Sequence, residues 1–510
     1  MRTLVPLLAL LAAAAVAEDD RRTIELHAAD VGRLALKNGP AYLVREIDPS
    51  IARTRVVEAL GAFDRLFTSH AGFGGSREEA FFNVSSFGSR GSASRRTPTV
   101  SESHVAAGVG VGATQEWGGA WKLGYDATST DRRGDASLSS FEPRYDGELT
   151  GTYRHPLLRG AGNDQNLAPV RAARRLVRES ELSLEREAEL TVERAEAAYW
   201  DLVGAKADRE LKRKSLDVAR ELLSVVRARV DSGRGIPVDV TEALAGIARR
   251  EVDLIAADNL VANAGDRLRE LVLPFDGSNP DLELEIVAAD APAAAVTSSP
   301  PAPGLPEIAD AVSRRADVGA AQARLDAAQI EEDRANAETG ASLDAVLSAG
   351  LTGKGSGFSE SGSKFWHRRA YSWDAGIELS LPLGDRAATS RALRARRQRE
   401  RSEREMTSLR NAVVRELREA SRNVRSAADR IEAAARATAA ATEQLAAEKS
   451  RLESGRATPF DVLQSEEELT KAGAAEVQAR VDWEKARVEV LRASGTLLGT
   501  RGLSGAAAGE

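Results

Sequence analysis

The chain has 510 residues, a formal net charge of −7 at pH 7 and no cysteine. A charge this small for the length gives no reason to expect nucleic acid as a partner. Without cysteine, disulfides and a lipid anchor on an N-terminal cysteine are both excluded. Only 5% of the residues are aromatic and 29% are charged, a composition that favours long helices over one compact core.

The N-terminus has the pattern of a secretory signal peptide over residues 1–17. A positive start at Met1-Arg2 precedes a short apolar core, and Ala15-Val16-Ala17 matches a signal-peptidase cleavage site. The apolar core is too short to span a bilayer as a helix. We therefore expect an exported protein that is not a lipoprotein and whose mature chain begins at Glu18.

Residues 18–285 are expected to form a first structural repeat. Apolar and polar residues alternate from Val105 to Ala113 and from Tyr145 to Tyr153, which indicates strands. The pattern then becomes helical over some 65 residues, or roughly 100 Å, longer than a compact domain requires. The expected elements are short helices over Ala28–Asn38 and Ser50–Phe67, two strands within about residues 76–155, a long helix over 163–232 and a shorter helix over 237–272.

A second repeat is expected over residues 305–498, after an Ala/Pro linker at 286–304. The clearest strand of the chain runs from Tyr371 to Leu381, where every second residue is apolar. A flexible tail is expected at 499–510. The elements of this repeat are a helix from Leu305 to Glu338 with a break near Asp317, two strands within about residues 341–382, a long helix over 385–454 and a helix over 459–494.

A twelve-residue phrase that occurs twice supports an internal duplication. Residues 229–240 read RVDSGRGIPVDV and residues 451–462 read RLESGRATPFDV, an offset of 222 residues. Pro156 and Pro382 begin similar segments at an offset of 226, and an earlier match of Ala52 to Ala321 has an offset of 269. Since the offset falls by about 43, the first repeat holds about 43 extra residues between roughly 66 and 155.

Strands with one apolar face in an exported protein are typical of a transmembrane β-barrel. About four such strands are recognisable. Four strands cannot close a barrel, and open sheet edges are not tolerated in lipid, so several chains must share one barrel. Two copies would supply eight strands and three would supply twelve. The alternative is a soluble four-stranded sheet packed on one face. Aromatic residues that fit an interfacial girdle are Trp121, Tyr125, Tyr153, Tyr371 and Trp373.

The order of these elements, together with the two G-x-x-x-P-x-D-V turns, resembles the TolC family of outer-membrane efflux and export channels. The resemblance implies a mixed α and β fold and a homotrimer. Four strands per protomer would form one 12-stranded transmembrane β-barrel, and the long helices would form a periplasmic α-barrel. The implied function is the exit duct of a tripartite efflux or type I secretion system. Its implied partners are a periplasmic adaptor, an inner-membrane pump and outer-membrane lipid.

In such channels the two turns lie at the periplasmic tip and meet the adaptor. Asp461 also matches the first of two acidic residues that narrow the tunnel entrance, whereas Gln464 stands in place of the second. Glu466, Glu467 and Glu468 offer other acidic groups nearby. The alternative for the turn residues is that Gly and Pro only shape the turns and that the Asp residues stabilise helix N-termini. The predicted docking residues are Gly233, Arg234, Pro237, Asp239, Gly455, Arg456, Thr458, Pro459 and Asp461.

No catalytic, cofactor or metal site is predicted, because the five histidines are scattered and no nucleophile motif is present. The competing function is a periplasmic helical-hairpin adaptor, although such proteins usually carry only one hairpin. Arginines also cluster at the start of both long helices, where a solvated helix face or a contact with lipid head groups would explain them. These are Arg171, Arg174, Arg175, Arg178, Arg391, Arg394, Arg396, Arg397 and Arg399.

Overall fold

The computed structural model describes residues 23–79, 99–133, 144–233, 235–273, 285–291, 303–357, 359–361, 363 and 370–503. The strands are β1 (Thr23–Leu26), β2 (Leu66–Glu79), β3 (Thr99–Thr114), β4 (Ala120–Arg133), β5 (Arg144–Pro156), β6 (Glu285–Ala288), β7 (Ser342–Gly355) and β8 (Tyr371–Ser380). The helices are α1 (Ala28–Asn38), α2 (Pro40–Glu46), α3 (Asp48–Leu60), α4 (Asn163–Asn166), α5 (Ala168–Asp231), α6 (Pro237–Val272), α7 (Leu305–Arg314), α8 (Ala316–Ala337), α9 (Arg386–Glu453), α10 (Pro459–Ala493) and α11 (Leu497–Thr500).

The described chain divides into two compact units, and each unit contains parts of both predicted repeats. The first unit is largely helical and comprises residues up to 49, 180–320 and 406 onwards. The second unit, residues 50–179 and 321–405, contains the large sheet. The predicted signal peptide at 1–17 lies outside the described residues, as does most of the predicted tail.

Helix ends agree closely with the sequence prediction where Gly or Pro marks them. Helix α1 ends at Asn38, as expected from Gly39-Pro40, and α6 covers the predicted 237–272. The two long helices, α5 and α9, have 64 and 68 residues. The predicted break near Asp317 is present, since α7 ends at Arg314 and α8 starts at Ala316.

A small parallel sheet in the first unit joins two segments that are far apart in sequence. Strand β1 pairs with β6, with Ile24 opposite Ile286. The hydroxyl of Tyr199 on α5 lies 2.8 Å from the carboxylate of Asp290 and 3.1 Å from the carbonyl of Leu26, so its one hydrogen is shared between these two acceptors. Burial raises the pKa of Tyr199, so this phenol stays a donor at neutral pH. The segment predicted as a linker from residue 286 therefore begins as an ordered strand.

A buried network of ion pairs fastens the helices of the first unit at the break between α7 and α8. The Arg315 side chain is only 2% exposed and binds Asp317 through two nitrogens at 2.6 and 3.0 Å. Arg315 also pairs with Glu416 on α9. Glu416 accepts in addition from Arg492 of α10, and Arg492 lies 2.7 Å from Glu193 of α5. Four helices thus share one set of charges.

We expect Glu416→Gln to destabilise the protein by about 3 kcal/mol, because it leaves buried arginines incompletely paired. Burial alone would raise the pKa of Glu416, but hydrogen bonds and charge from Arg492 and Arg315 outweigh it and lower that pKa. A lowered folded-state pKa means that this stabilisation is present above about pH 4 and is lost as the pH falls further. Chemical unfolding of the detergent-solubilised protein can be followed by circular dichroism. On acidification, the free energy of unfolding should fall less in the variant than in the natural protein.

The matched control is Glu443→Gln, at an exposed position of the same helix. It should leave both the unfolding midpoint and its pH dependence unchanged. Equal effects of the two substitutions would contradict a special role for the buried network.

The second unit contains one antiparallel sheet of six strands in the order β2-β3-β4-β5-β7-β8. Directly opposite residues of an antiparallel pair lie on the same face, so the register assigns each side chain to a face. One face is apolar from edge to edge and the other is polar. One row of the apolar face comprises Phe67, Val111, Leu123, Gly151, Ala349 and Trp373.

The two faces differ strongly in chemistry. On the apolar face Phe73, Tyr371, Trp373 and Ile377 are all more than 70% exposed, which is unusual for a protein surface in water. The polar face carries ionic side chains, and Arg154 there bonds to Asp344 at 3.1 Å and to Glu378 at 2.8 Å. Alternation of this kind is what a strand with lipid on one side and water on the other requires.

The number of strands differs from the sequence prediction. Four strands were expected in the sheet, and the structure has six. Strand β2 begins at Leu66, where the sequence predicted the end of a helix, and β4 was not recognised as a strand. Glycines at positions 72, 74 and 75 leave β2 few bulky residues from which to read the alternation. The β3–β4 hairpin, residues 99–133, accounts for most of the extra residues of the first repeat.

The arginines near the start of the long helices are largely engaged in ion pairs. In the second unit Arg175 of α5 lies 3.7 Å from Asp326 of α8, and Arg399 of α9 binds Glu332 of α8 at 2.5 Å. Arg396 and Arg397 both pair with Glu400 one turn further along α9. These contacts favour a structural role for this part of the cluster.

Candidate functional site

The candidate docking residues form two turns, the first between α5 and α6. Gly233 has a φ of 71°, and its N–H donates to the carbonyl of Val230 at 2.9 Å. A Cβ at Gly233 would meet no atom within 4 Å, so the backbone conformation, and not crowding, requires glycine. Pro237 occupies the first position of α6, where its missing N–H costs nothing. Arg234 lies outside the described residues.

The second turn, between α9 and α10, closes with a complete Schellman motif. Gly455 has a φ of 74° and donates to the carbonyl of Leu452 at 3.0 Å, while the N–H of Arg456 donates to Arg451 at 2.8 Å. These two bonds satisfy carbonyls that a helix end otherwise leaves without a partner. Only the backbone of Arg456 takes part, and its side chain is exposed.

Helix α10 begins with a reciprocal cap between Thr458 and Asp461. The hydroxyl of Thr458 accepts from the N–H of Asp461 at 3.2 Å, and the N–H of Thr458 donates to the Asp461 carboxylate at 2.8 Å. The hydroxyl also donates to that carboxylate at 2.8 Å. These bonds, the backbone one first, lower the pKa of Asp461. Asp461 therefore stabilises the N-terminus of α10, which is the alternative role considered for it from the sequence.

The first turn has only half of this cap. The N–H of Ile236 donates to the Asp239 carboxylate at 3.3 Å. Ile236 has no side-chain acceptor, so the N–H of Asp239 bonds instead to the Ile236 carbonyl at 3.1 Å. The two copies of the duplicated turn thus differ in how firmly their second helix is anchored.

Both turns border a single apolar cluster formed by the ends of four helices. Leu452 is only 5% exposed and belongs to this cluster. The guanidinium of Arg229 on α5 also donates to the carbonyl of Leu452 at 2.6 Å, so the first hairpin caps the last turn of the second. The buried members of the cluster are Ala219, Leu222, Val226, Leu445, Leu452, Val462 and Leu463.

Behind the turns lies a buried ion pair that the sequence did not reveal. Arg250 of α6 binds Glu466 of α10 at 2.7 Å, and the two side chains are 9% and 6% exposed. The hydroxyl of Ser215 on α5 donates to the same carboxylate at 2.8 Å, and Arg250 donates to the carbonyl of Leu463 at 2.9 Å. Glu466 is thus committed to the packing of three helices.

The two neighbouring acidic residues, Glu467 and Glu468, are exposed and have their partners on the surface. Glu467 pairs with Lys471 at 2.6 Å, and Glu468 accepts from Gln444 at 3.2 Å. Gln464, predicted at the tunnel constriction together with Asp461, is exposed on α10. The constriction itself remains a prediction.

Residues 308–496 match the family model of outer membrane efflux proteins. The matched residues cover most of the predicted second repeat, and the predicted resemblance to TolC-family channels is confirmed. The alternative of a periplasmic adaptor finds no support. A comparison with curated protein sequences finds no match.

Solved structures of outer-membrane channels share the fold of this chain over nearly its whole length. The channel OprN has 18% sequence identity and a TM-score of 0.66, and the match covers 92% of this chain and 90% of OprN. CmeC from Campylobacter jejuni has 15% identity and a TM-score of 0.65, with 92% and 86% covered. VceC from Vibrio cholerae has 17% identity and a TM-score of 0.63, with 92% and 96% covered. The predicted fold class, long helices combined with a barrel-type sheet, is confirmed.

Among the described residues, no helix is both long enough and apolar enough to cross a membrane. Within the described ranges, no three His, Asp or Glu side chains are grouped so that they could hold a metal ion.

We expect Gly455→Ala to destabilise the second turn by about 1 kcal/mol, because a Cβ disfavours the left-handed conformation. Gly455→Asn should cost less, since asparagine tolerates this region better. Thermal unfolding of the purified protein measures both. Gly265→Ala, inside α6 and with free space around it, is the control and should be neutral or stabilising.

We expect Ile236→Thr to stabilise the first turn by about 1 kcal/mol, because the new hydroxyl can accept from the N–H of Asp239. Ile236 is 60% exposed, so little packing is lost. The matched change in the second turn, Thr458→Val, should have the opposite sign and a similar size. Amide hydrogen exchange of the two turns reads out each effect locally, and an unchanged exchange rate in Ile236→Thr would contradict the difference in capping.

Proposed function

We propose that three copies of this chain form the outer-membrane channel of a tripartite efflux or type I secretion system. In this proposal the channel conducts its cargo passively, without catalysis and without a cofactor. A periplasmic adaptor and an inner-membrane pump are its partners, and outer-membrane lipid surrounds it. Residues 1–17 direct export, and the mature chain consists of two repeats, 18–285 and 305–498, joined by residues 286–304.

One combination of features carries this proposal. The fold of efflux channels extends over nearly the whole chain, and the sheet presents an exposed aromatic and aliphatic face opposite a polar one. A soluble protein would cover such a face, whereas a lipid-facing strand requires it.

The decisive test is the mass of the protein extracted from membranes in detergent, corrected for bound detergent. Three chains in the outer-membrane fraction, together with steady conductance in a planar bilayer, would support the proposal. A monomer released with the periplasmic contents would contradict it.

The adaptor is proposed to dock at the two turns, through Gly233, Arg234, Pro237, Asp239, Gly455, Arg456, Thr458, Pro459 and Asp461. Asp461 and Gln464 are proposed to line the tunnel entrance. The exposure of most of the second turn supports this role, since Gly455, Arg456, Thr458 and Gln464 are all accessible. Buried packing, by contrast, is concentrated in the apolar cluster behind the turns.

We expect Arg456→Glu to weaken adaptor binding by roughly tenfold or more, because reversal of an interface charge juxtaposes like charges or removes a favourable pair. The Schellman motif uses only the backbone N–H of Arg456, so assembly and thermal stability should be unchanged. Co-purification of the adaptor with the tagged channel from its native host, and export of a fluorescent dye, measure the effect.

The control is Arg418→Glu, at an exposed position of α9, the helix that leads into the second turn, and far from the turn in sequence. It should leave adaptor co-purification and dye export unaltered. Normal co-purification in Arg456→Glu would contradict docking through the second turn.

A further inference from the structure

The sheet of this chain has six strands, and its outermost strands are β2 and β8. Within the described residues neither outer edge is paired with another strand. An unpaired edge exposes a row of backbone N–H and carbonyl groups, which cannot be satisfied in hydrocarbon. In the membrane, each outer edge must therefore pair with the edge of another strand that lies at the same depth in the bilayer.

The number of strands determines which edge fits. Neighbouring strands of the sheet are all antiparallel, so with six strands β2 and β8 run in opposite directions. The β8 edge of one copy can then pair antiparallel with the β2 edge of the next copy. The same contact repeats around a ring until it closes, which leaves no open edge.

Strands β2 and β3 are an integral part of the sheet and not an appendage. Their pairing runs without interruption from Leu66 opposite Gly112 to Glu79 opposite Thr99. His70 of β2 also reaches across β3 to Asp126 of β4, with 3.3 Å between the ring nitrogen and the carboxylate.

Gly108 of β3 leaves the room for this contact. A Cβ at Gly108 would lie 2.4 Å from the His70 ring and 2.2 Å from the Asp126 carboxylate. Three adjacent strands are therefore fitted to one another at this point of the polar face.

The apolar face also continues onto both outer strands. Phe73 on β2 is 93% exposed and Ile377 on β8 is 73% exposed. If the barrel ended at an inner strand, Phe67 and Phe73 of β2 and Val105 and Val109 of β3 would be left on a flap outside it. The uniform face is instead what a sheet needs when all six strands lie against lipid.

We propose that three copies of this chain close an eighteen-stranded transmembrane barrel in which β8 of each copy pairs with β2 of the next. The inference rests on the proposed trimeric channel and replaces the predicted twelve strands. Because barrel diameter grows roughly linearly with strand number, the pore would be about 1.5 times as wide as that of a twelve-stranded barrel. The β3–β4 hairpin supplies the additional width.

Engineered disulfides can test the pairing, because the natural chain contains no cysteine. Cysteines at Thr68 or Gly72 of β2 are combined with cysteines at Ser372, Gly376 or Ser380 of β8, all on the polar face. Since a disulfide requires Cα atoms within about 7 Å, only pairs close to the true register will join. Ser348→Cys with Asp374→Cys, which are opposite within one chain, is the positive control.

A competing set places the second cysteine on β4, at Lys122, Gly124 or Thr128. We expect oxidation of outer-membrane vesicles to shift the β2–β8 variants from a monomer band to dimer and trimer bands on non-reducing gels. The β4–β8 variants should remain monomers. Native mass in detergent is measured for each variant.

Four other results would overturn the inference. Cross-linked trimers from the β4–β8 set would indicate twelve strands and leave the proposed channel intact. A trimer that cross-links through neither set would exclude the β2–β8 contact but would leave the proposed channel intact. A dimer would close twelve strands with six from each copy, and a monomer without cross-links would contradict the proposed function itself.

Discussion

Backbone hydrogen bonding is the constraint on which the six-stranded sheet depends. In the proposed channel lipid offers no partner, so each strand can satisfy its N–H and carbonyl groups only through its neighbours. The six strands solve this problem internally for all but the outer edges of β2 and β8. In the proposed channel the sheet is one part of a closed barrel, and the surrounding lipid accounts for its exposed apolar face. Strand number, subunit number and pore width are linked through this single requirement.

The helical unit depends on a different kind of interaction. There, long helices are held side by side by small apolar clusters and by buried charges that are paired almost completely. Arg250 with Glu466, and Arg315 with Asp317 and Glu416, each bring together helices that are remote in sequence. Buried pairs of this type contribute little net stability compared with apolar packing, but an unpaired charge is costly. They therefore oppose any slippage of one helix along another.

The helices and their ends could be predicted from the sequence because the relevant signals are local. Glycines 233 and 455 adopt the left-handed conformation that the repeated phrase suggested, and Pro237 and Pro459 begin the next helices. Strand β4 carried a usable signal, since Trp121, Leu123 and Tyr125 alternate with Lys122 and Gly124. The surplus of residues in the first repeat indicated that something had been added there.

Other features depended on tertiary structure and had no local signature. The strands β1 and β6 have four residues each and lie more than 250 residues apart. The partner of Glu466 is 216 residues away, and nothing in the acidic run at 466–468 distinguishes the buried residue from its exposed neighbours. In the candidate site the turn geometry was therefore predictable, whereas the network behind it was not.

The unequal caps of the two turns have a consequence for symmetry. Three copies of a duplicated chain would present six similar hairpins, an arrangement close to sixfold. Thr458 gives every second hairpin a side-chain cap that Ile236 cannot give to its counterpart. The resistance of such a ring to bending would then have only threefold symmetry, because stiff and soft hairpins alternate around it. A force applied evenly around the ring would bend the soft set first, and the opening would be triangular.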